Sequence, residues 1–471
     1  MSLITYIIVT RALKEFTLLP FSIMELDSKL RQKFKRFRIL IIGRANAGKT
    51  TILQRVCKTQ ENPEIYNSDG EQIDPAVLMA SRERGVHDIE NEMVFRSNPG
   101  FVFHDSRGFE AGGQFEFNKV KAFISRRSKE KHLSDRIHVI WYCIPMDEDG
   151  RSFTEAEVKF FSQCDTGSIV VIVLFTKFDA LYDDEFAELI CKGVSRKDAQ
   201  ALAAHHAKEA FASGPQLKLL YNRKGNHRRP RCHICLPDMD KDNADCRPLI
   251  ELTAETLDND TLKRMFVSTQ RTTLELCMRY AVERSLAQHL DTTQAMTSRI
   301  FGKSDREIVN DLGKWFPHTR EWWANYLWYW NLLDYLYDNN NDDDWDCYHP
   351  EDEEMWSALR HLLPESSTLG QIMQFSSAAL IVFENAFHLV DEQQGRMSVR
   401  PVCVALQQYM ASPNAAAVRA ALSPAIHAYE AGFSQWIPGS AKHSQKKADL
   451  INTITEVVLQ HRLPIPGVQA I

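Results

Sequence analysis

The chain has 471 residues, 44% of them hydrophobic and 25% charged, with a formal net charge of −6. That is the composition of ordinary globular protein, long enough for about two or three domains. No basic excess points to nucleic acid or an anionic membrane as the main partner, and no uninterrupted apolar stretch reaches a spanning length, so no transmembrane segment is expected.

Residues 1–36 read as an N-terminal leader. Their apolar patch from Leu3 to Val9 is followed by Arg11, and neither a basic n-region nor a small-residue cleavage site accompanies it. Met24 is an alternative start. Without a secretory signal, the 10 irregularly spaced cysteines read as reduced thiols of a cytoplasmic protein. The apolar run 37–43 reads as a buried strand and 49–57 as the helix behind it. Residues 58–91 are polar and broken by Pro63, Gly70, Pro75 and Gly85, which reads as a functional loop and not as a packing element. Met93–Arg96 and Phe101–His104 form a predicted hairpin joined by Asn98-Pro99-Gly100. A helix is expected over 115–128. The apolar runs 137–144 and 169–175 read as strands buried on both faces, with helical spacing at 153–164 between them. Residues 195–212 are Ala-rich and helical, and His233–Leu236 is a short last strand. Strands alternating with helices imply a parallel sheet with ligands at the carboxyl ends of its strands. After about residue 260 the apolar period changes to three and four, and only helices are expected, with breaks at Pro317, 338–350, Pro364, Pro413, Pro424 and Pro438-Gly439. The division read from sequence is therefore an α/β domain over 37–262 and an all-α domain over 263–471.

The chemistry begins at Gly43-Arg44-Ala45-Asn46-Ala47-Gly48-Lys49-Thr50, a G-x-x-x-x-G-K-T run between a strand and a helix. In that context the run is a P-loop. Backbone N–H groups from Arg44 to Thr51 can curl around phosphate oxygens, and the helix N-terminus adds its partial positive charge. Lys49 can reach the β- and γ-phosphates, and the Thr50 hydroxyl can ligate Mg²⁺. His104-Asp105-Ser106-Arg107-Gly108 has the D-x-x-G form behind a strand. Asp105 would hold Mg²⁺ through water, and the Gly108 N–H would sense the γ-phosphate. Thr176-Lys177-Phe178-Asp179 has the [NT]-K-x-D form behind another. Asp179 can accept from the N1 and N2 donors of guanine, a pair that adenine lacks. Lys177 can lay its stem along the base, and the Thr176 hydroxyl can tie loops together. Leu252-Thr253-Ala254-Glu255 follows the last predicted strand, where the resemblance set out below implies a Ser-Ala-Lys-like stretch whose Ala254 N–H meets guanine O6. Each of the last three motifs is weak alone, but four in order, each behind a strand, make coincidence a poor explanation.

The ordered set resembles the translation-factor-type class of P-loop GTPases, and the Gly43–Thr50 run is most similar to its Era/TrmE-like branch. The resemblance implies a three-layer α/β fold with a mostly parallel sheet, binding of GTP and GDP with Mg²⁺, and, as in cation-dependent members of that branch, K⁺ near the phosphates at Asn46. A narrower resemblance covers Asn98–Phe101, His104–Glu110, Trp141–Asp147, Phe153–Glu157 and Thr176–Leu181. These stretches look like the G-domain-containing proteins abundant in mushroom-forming fungi, most of which have no assigned role.

Two departures bear on hydrolysis. Phe109 stands where Ras-like enzymes carry a water-orienting Gln, and an aromatic ring cannot orient water. No Thr lies between Gln60 and His104 to serve as the switch Thr; Ser81 or the Arg84–His87 stretch would have to take its place. His87 itself reads as a solvated loop histidine. Slow turnover is expected, helped by K⁺ at Asn46, by Glu110 or by a partner's residue. The reading is a nucleotide-dependent switch whose helical domain meets an unknown protein effector. The alternatives are a non-hydrolysing nucleotide-gated scaffold, an ATPase, and a membrane-remodelling large GTPase, for which the tail has no lipid-anchor signature.

Other clusters are expected to be structural. Cys232 and Cys235 with His227, His233 and Cys246 read as thiols and core groups and not as a zinc site. The basic run 222–231 and the acidic run 338–354 read as solvated loops. Trp315, Trp322, Trp323, Trp328 and Trp330 read as core of the helical domain.

Overall fold

The computed structural model describes residues 36–73, 88–106, 114–147, 153–221, 229–287, 311–317, 369–392, 399–433 and 441–463. The chain divides into two compact units, Met1–Asp245 and Cys246–Ile471. The division falls ahead of the boundary at residue 262 read from sequence, so helices at 247–256 and 260–267 belong to the second unit.

In the first unit β1 (Phe37–Gly43) is buried along its whole length, which is why it reads as an unbroken apolar run. The helix α1 (Lys49–Val56) follows the P-loop. Next come β2 (Glu64–Tyr66), β3 (Glu92–Phe95) and β4 (Asn98–Asp105), the last two as the expected hairpin. Residues 58–91 are thus not all loop: β2 pairs antiparallel with β3 and buries Ile65, because one alternating apolar residue suffices for an edge strand. The unit continues with α2 (Gln114–Arg127), β5 (Val139–Pro145), α3 (Glu155–Gln163), β6 (Val170–Thr176), α4 (Ala180–Cys191), α5 (Arg196–Ala212), α6 (Pro215–Tyr221) and β7 (Cys232–Leu236).

The strands form one seven-stranded sheet in the order β2-β3-β4-β1-β5-β6-β7. From β4 to β7 all neighbours are parallel. The chain leaves β1 to build β2–β4 on one side and returns to build β5–β7 on the other. The carboxyl end of β1 is therefore where the topology reverses, the place where open α/β sheets bind ligands. One face of the sheet is filled by Ile42, Tyr142, Ile144, Phe160, Phe175 and Phe211 among others. On the opposite face Trp141 packs against Phe103, 6.4 Å between ring centres.

A polar network crosses the middle of this apolar unit. Arg38, buried on β1, donates from Nε to the Ser134 carbonyl (2.5 Å) and from Nη1 to Glu92 (2.6 Å). Its Nη1 also meets His104 Nε2 at 3.2 Å, while His104 Nδ1 lies 3.0 Å from the Ile89 carbonyl. A carbonyl only accepts, so Nδ1 carries the proton and Nε2 accepts. The same reasoning puts the His138 proton on Nε2, which donates to the Leu133 carbonyl, while Nδ1 accepts from the Arg38 N–H. Burial, aided by the Arg38 charge, lowers the His104 pKa to about 3. Burial also lowers that of His138 to about 4. Both rings are neutral.

The second unit is helical in its described parts. It contains α7 (Arg247–Thr256), α8 (Asp260–Val267) and α9 (Leu274–Tyr280), which runs on as a π-helical turn, Ala281–Leu286. Then come α10 (Leu369–Glu392), α11 (Val399–Ala411), α12 (Asn414–Phe433) and α13 (Ala441–Gln460). The central α10 buries Ile372, Met373, Leu380, Ile381 and Phe383. Pro424 does not end a helix, as its sequence position suggests, but lies inside α12. Val418, Leu422, Ile426 and Tyr429 are all buried on that helix, and their packing offsets the roughly 3 kcal/mol that an internal proline costs. Trp315 is core as expected: its Nε1 donates to Ser285 Oγ (2.9 Å) and its ring stacks on Tyr280. Trp322, Trp323, Trp328, Trp330, the leader and the acidic run lie outside the described residues.

Candidate nucleotide site

The P-loop is shaped by three backbone facts. Gly43 closes β1 against β5, where a Cβ would meet the Cys143 carbonyl at 2.5 Å, so no side chain fits. Asn46 and Gly48 have left-handed φ values of 58° and 75°. Gly48 is the N-cap of α1 and offers no side-chain cap, which leaves the first N–H groups of that helix pointing out of the chain's own hydrogen bonding. An open helix N-terminus behind a glycine turn is a cradle for an anion. Ala47 is buried, Ala45 and Thr51 are half-buried, and Asn46 and Thr50 are exposed at the rim.

Lys49 Nζ donates to the carbonyls of Gly43 (3.2 Å) and Arg44 (2.9 Å), so its ammonium rests on the loop it is meant to serve. Asp105 ends β4, which lies beside β1 with Ile41 opposite Asp105, and the next residue donates its N–H to the Ile41 carbonyl (3.2 Å). Asp105 and Lys49 therefore flank one point. The Cys143 thiol records both: burial pushes it up to about 12, with the Lys49 charge lowering it and the Asp105 charge raising it. Thr50 follows Lys49 at the start of α1, and Asp105 closes the strand beside β1. Gly108 and Glu110, with Phe109, Ser81 and His87, lie outside the described residues.

Arg44 takes a role that the sequence does not disclose. Its guanidinium is buried and forked onto Glu157, with Nε to Oε1 and Nη2 to Oε2 both at 2.9 Å. Glu157 is also the third residue of a capping box: its Oε2 accepts from the Thr154 N–H (2.8 Å), and its own N–H donates to Thr154 Oγ1 (3.3 Å). The side chain of Arg44 thus bolts the P-loop to the start of α3, and only its backbone remains for phosphate. The capping box is legible in Thr154–Glu157, but its partner 113 residues away is not.

The base side is built at the ends of β6 and β7. Thr176 is buried, and its carbonyl accepts from the Met146 N–H (2.9 Å). Its hydroxyl has no hydrogen-bond partner among the described residues, so the tie between loops expected of it is made by its backbone. Lys177 is held left-handed at φ 52° and donates to Asp147 Oδ2 (2.7 Å). Asp179, half-buried at the start of α4, accepts from the Asp238 N–H at Oδ1 (2.8 Å). The loop that reaches Asp179 is therefore 237–242, directly behind β7.

This corrects the last motif. Thr253, Ala254 and Glu255 lie inside α7 and not in a loop. Thr253 and Ala254 are fully buried, Thr253 Oγ1 donates to the Leu249 carbonyl (2.7 Å), and helical geometry engages the Ala254 N–H with the turn before it. An amide spent inside a helix cannot meet guanine O6. The signal that could have found the right loop is simple: the carboxyl end of the last strand is Leu236, so the loop must start at Pro237.

Cys232 and Cys235 lie on β7, and burial pushes the Cys235 thiol up to about 12. His233 Nδ1 pairs with the Tyr221 hydroxyl (2.9 Å). No group of His, Cys, Asp or Glu among the described residues could hold a metal ion by itself.

A P-loop at the reversal point of a mostly parallel seven-stranded sheet, with a carboxylate at the neighbouring strand end and a Thr-Lys-x-Asp turn beyond, makes up the α/β unit expected from sequence, followed here by a helical unit. No protein-family model matches the chain, and no curated protein matches it. Among solved structures the chain is similar to two from work on an oligomerised bacterial dynamin pair, described as a mechanism for long-range sensing and tethering of membranes. Identity is 12% in both, with TM-scores of 0.24 and 0.26, over 91% of this chain and 85% of each of those. At those values the likeness carries no functional argument. No helix among the described residues is long and apolar enough to cross a membrane.

Proposed function

We propose that this protein binds GTP and GDP with Mg²⁺ and acts as a nucleotide-dependent switch with slow GTP hydrolysis. The observation that carries the reading is Asp179: its Oδ1 accepts from the Asp238 N–H, which orients the carboxylate behind β6, where it would accept from the N1 and N2 donors of a guanine. The open N-terminus of α1 and the amides of residues 44–51 would hold the phosphates, and Lys49 would exchange its loop carbonyls for phosphate oxygens. Thr50 and Asp105 have the oxygen chemistry Mg²⁺ takes, at the rim of that cradle. When bound, the ion would offset charge on the β- and γ-phosphate oxygens. Lys177, held by Asp147, would flank the base.

The finer placement in the Era/TrmE-like branch rests on the Gly43–Thr50 run, and K⁺ beside Asn46 belongs to it. The exposed, left-handed Asn46 supports that role. Phosphate release in K⁺ against Na⁺, on wild type and Phe109→Gln, tests the catalytic half. Release absent in every case would leave the non-hydrolysing scaffold. The helical unit would carry the change to a protein effector.

The binding half is tested by competition of GDP and ADP against a labelled GDP. The wild type should prefer GDP, and Asp179→Asn should lose about 100-fold of that preference, the worth of two hydrogen bonds to a carboxylate. A wild type that binds ADP as well as GDP would overturn the assignment.

A further inference from the structure

The loop 237–242 is held from two sides. From the base side, Asp179 Oδ1 takes the Asp238 N–H. From the phosphate side, it is held by Arg55, near the end of the helix that starts with Lys49. Arg55 donates from Nε to the Met239 carbonyl (3.2 Å), from Nη2 to the Asp240 carbonyl (3.1 Å) and from Nη1 to the Asp242 carbonyl (3.5 Å). Its side chain is only 19% exposed. Its contact with the Asp242 carboxylate, 3.8 Å from a group 95% exposed to water, adds little.

We propose that Arg55 is a positioning residue for base selection: by holding the carbonyls of 239–242 it fixes the loop whose Asp238 N–H fixes Asp179. This rests on the reading of Asp179 as the guanine acceptor. The geometry has a definite logic. Three carbonyls of one short loop, those of Met239, Asp240 and Asp242, on one guanidinium need its rigid fork, and a lysine offers one point charge in its place. The loop needs such a hold because Asp238 has a left-handed φ of 54°, a conformation that a free loop would leave. Asp238 is otherwise held by its carbonyl, which accepts from the Lys241 N–H (3.0 Å), and by an exposed pair with the Lys241 ammonium that screening makes weak. Arg55 does not reach the base, so it is not a catalytic or contacting group. It makes the helix that opens on the phosphates also the brace of the base pocket. A nucleotide that seats α1 through its phosphates thereby seats the loop that selects its base.

The test compares wild type, Arg55→Ala and Arg55→Lys by competition of GDP and ADP against labelled GDP. Hydrogen exchange of the 237–242 amides is followed in the same proteins. Arg55→Ala should lose about tenfold in GDP affinity, hold its ADP affinity, and exchange faster at 238–242 while β1 and β5 stay protected; Arg55→Lys should fall between. A parallel fall for GDP and ADP would make Arg55 a general prop of the fold and overturn the proposal. So would an unchanged GDP preference, or unchanged exchange in the loop. A wild type without guanine preference would instead defeat the functional reading, before any variant is compared.

Discussion

At the scale of single residues, the first unit carries a pH dependence. His104 and His138 are neutral and buried in the fold, with pKa values of about 3 and about 4, while an unfolded histidine titrates near 6.5. Below pH 6.5 the unfolded chain binds protons that the folded chain refuses. Their contribution is fully present above that pH and is lost as pH falls toward the folded values. Each ring gives a slope of about 1.4 kcal/mol per pH unit in that range. Denaturant titrations at pH 7.5, 6 and 5 should show it, and His104→Asn, which keeps a donor for the Ile89 carbonyl, should flatten it by about half. Equal slopes in the two proteins would refute the assignment. The residues legible from sequence were those set by a strand end and a short motif, namely Lys49, Thr50, Asp105, Lys177 and Asp179. Arg55 and Asp238 were not, since their partners lie 184 and 59 residues away and no local pattern announces them.

At the scale of elements, the P-loop is not an independent loop but one end of a strut. Arg44 and Glu157 are both buried, and removing one partner strands the other's charge in a low-dielectric site. Glu157→Ala should destabilise the first unit by about 3–5 kcal/mol in urea unfolding and also weaken GDP binding. A loss below 1 kcal/mol would show that the pair is solvated in solution. The same scale explains the misplaced base loop. Motif order put a Thr-Ala-Glu stretch behind the last strand, but α7 is amphipathic and buries Leu249, Ile250, Thr253 and Ala254. Packing of an apolar helical face outweighs a three-residue likeness. Pro424 teaches the same lesson within α12.

At the scale of the whole molecule, the order of α/β first and helices second was readable from the change of apolar period. The boundary was not, because α7 has the same spacing whichever unit it joins. The second unit has its own buried charge. Arg462, just beyond α13, donates from Nε to Glu384 on α10 (2.9 Å) and also pairs with Glu275 on α9. Burial raises the Glu384 pKa even with Arg462 beside it. Arg462→Met should destabilise this unit by roughly 3–5 kcal/mol, and adding Glu384→Gln should restore part of the loss, as thermal unfolding would read. Additive losses would argue against a working pair.

Only four non-glycine residues among those described have left-handed backbone: Asn46, Lys58, Lys177 and Asp238. Three of them stand in the loops of the candidate site. Each such residue costs on the order of 1 kcal/mol that glycine would spare. The chain thus keeps side chains where relaxation would favour none, and concentrates its conformational tension in the candidate site. On the proposed function, stability and recognition are set against each other there: glycines at those three positions would steady the fold and loosen its hold on a nucleotide.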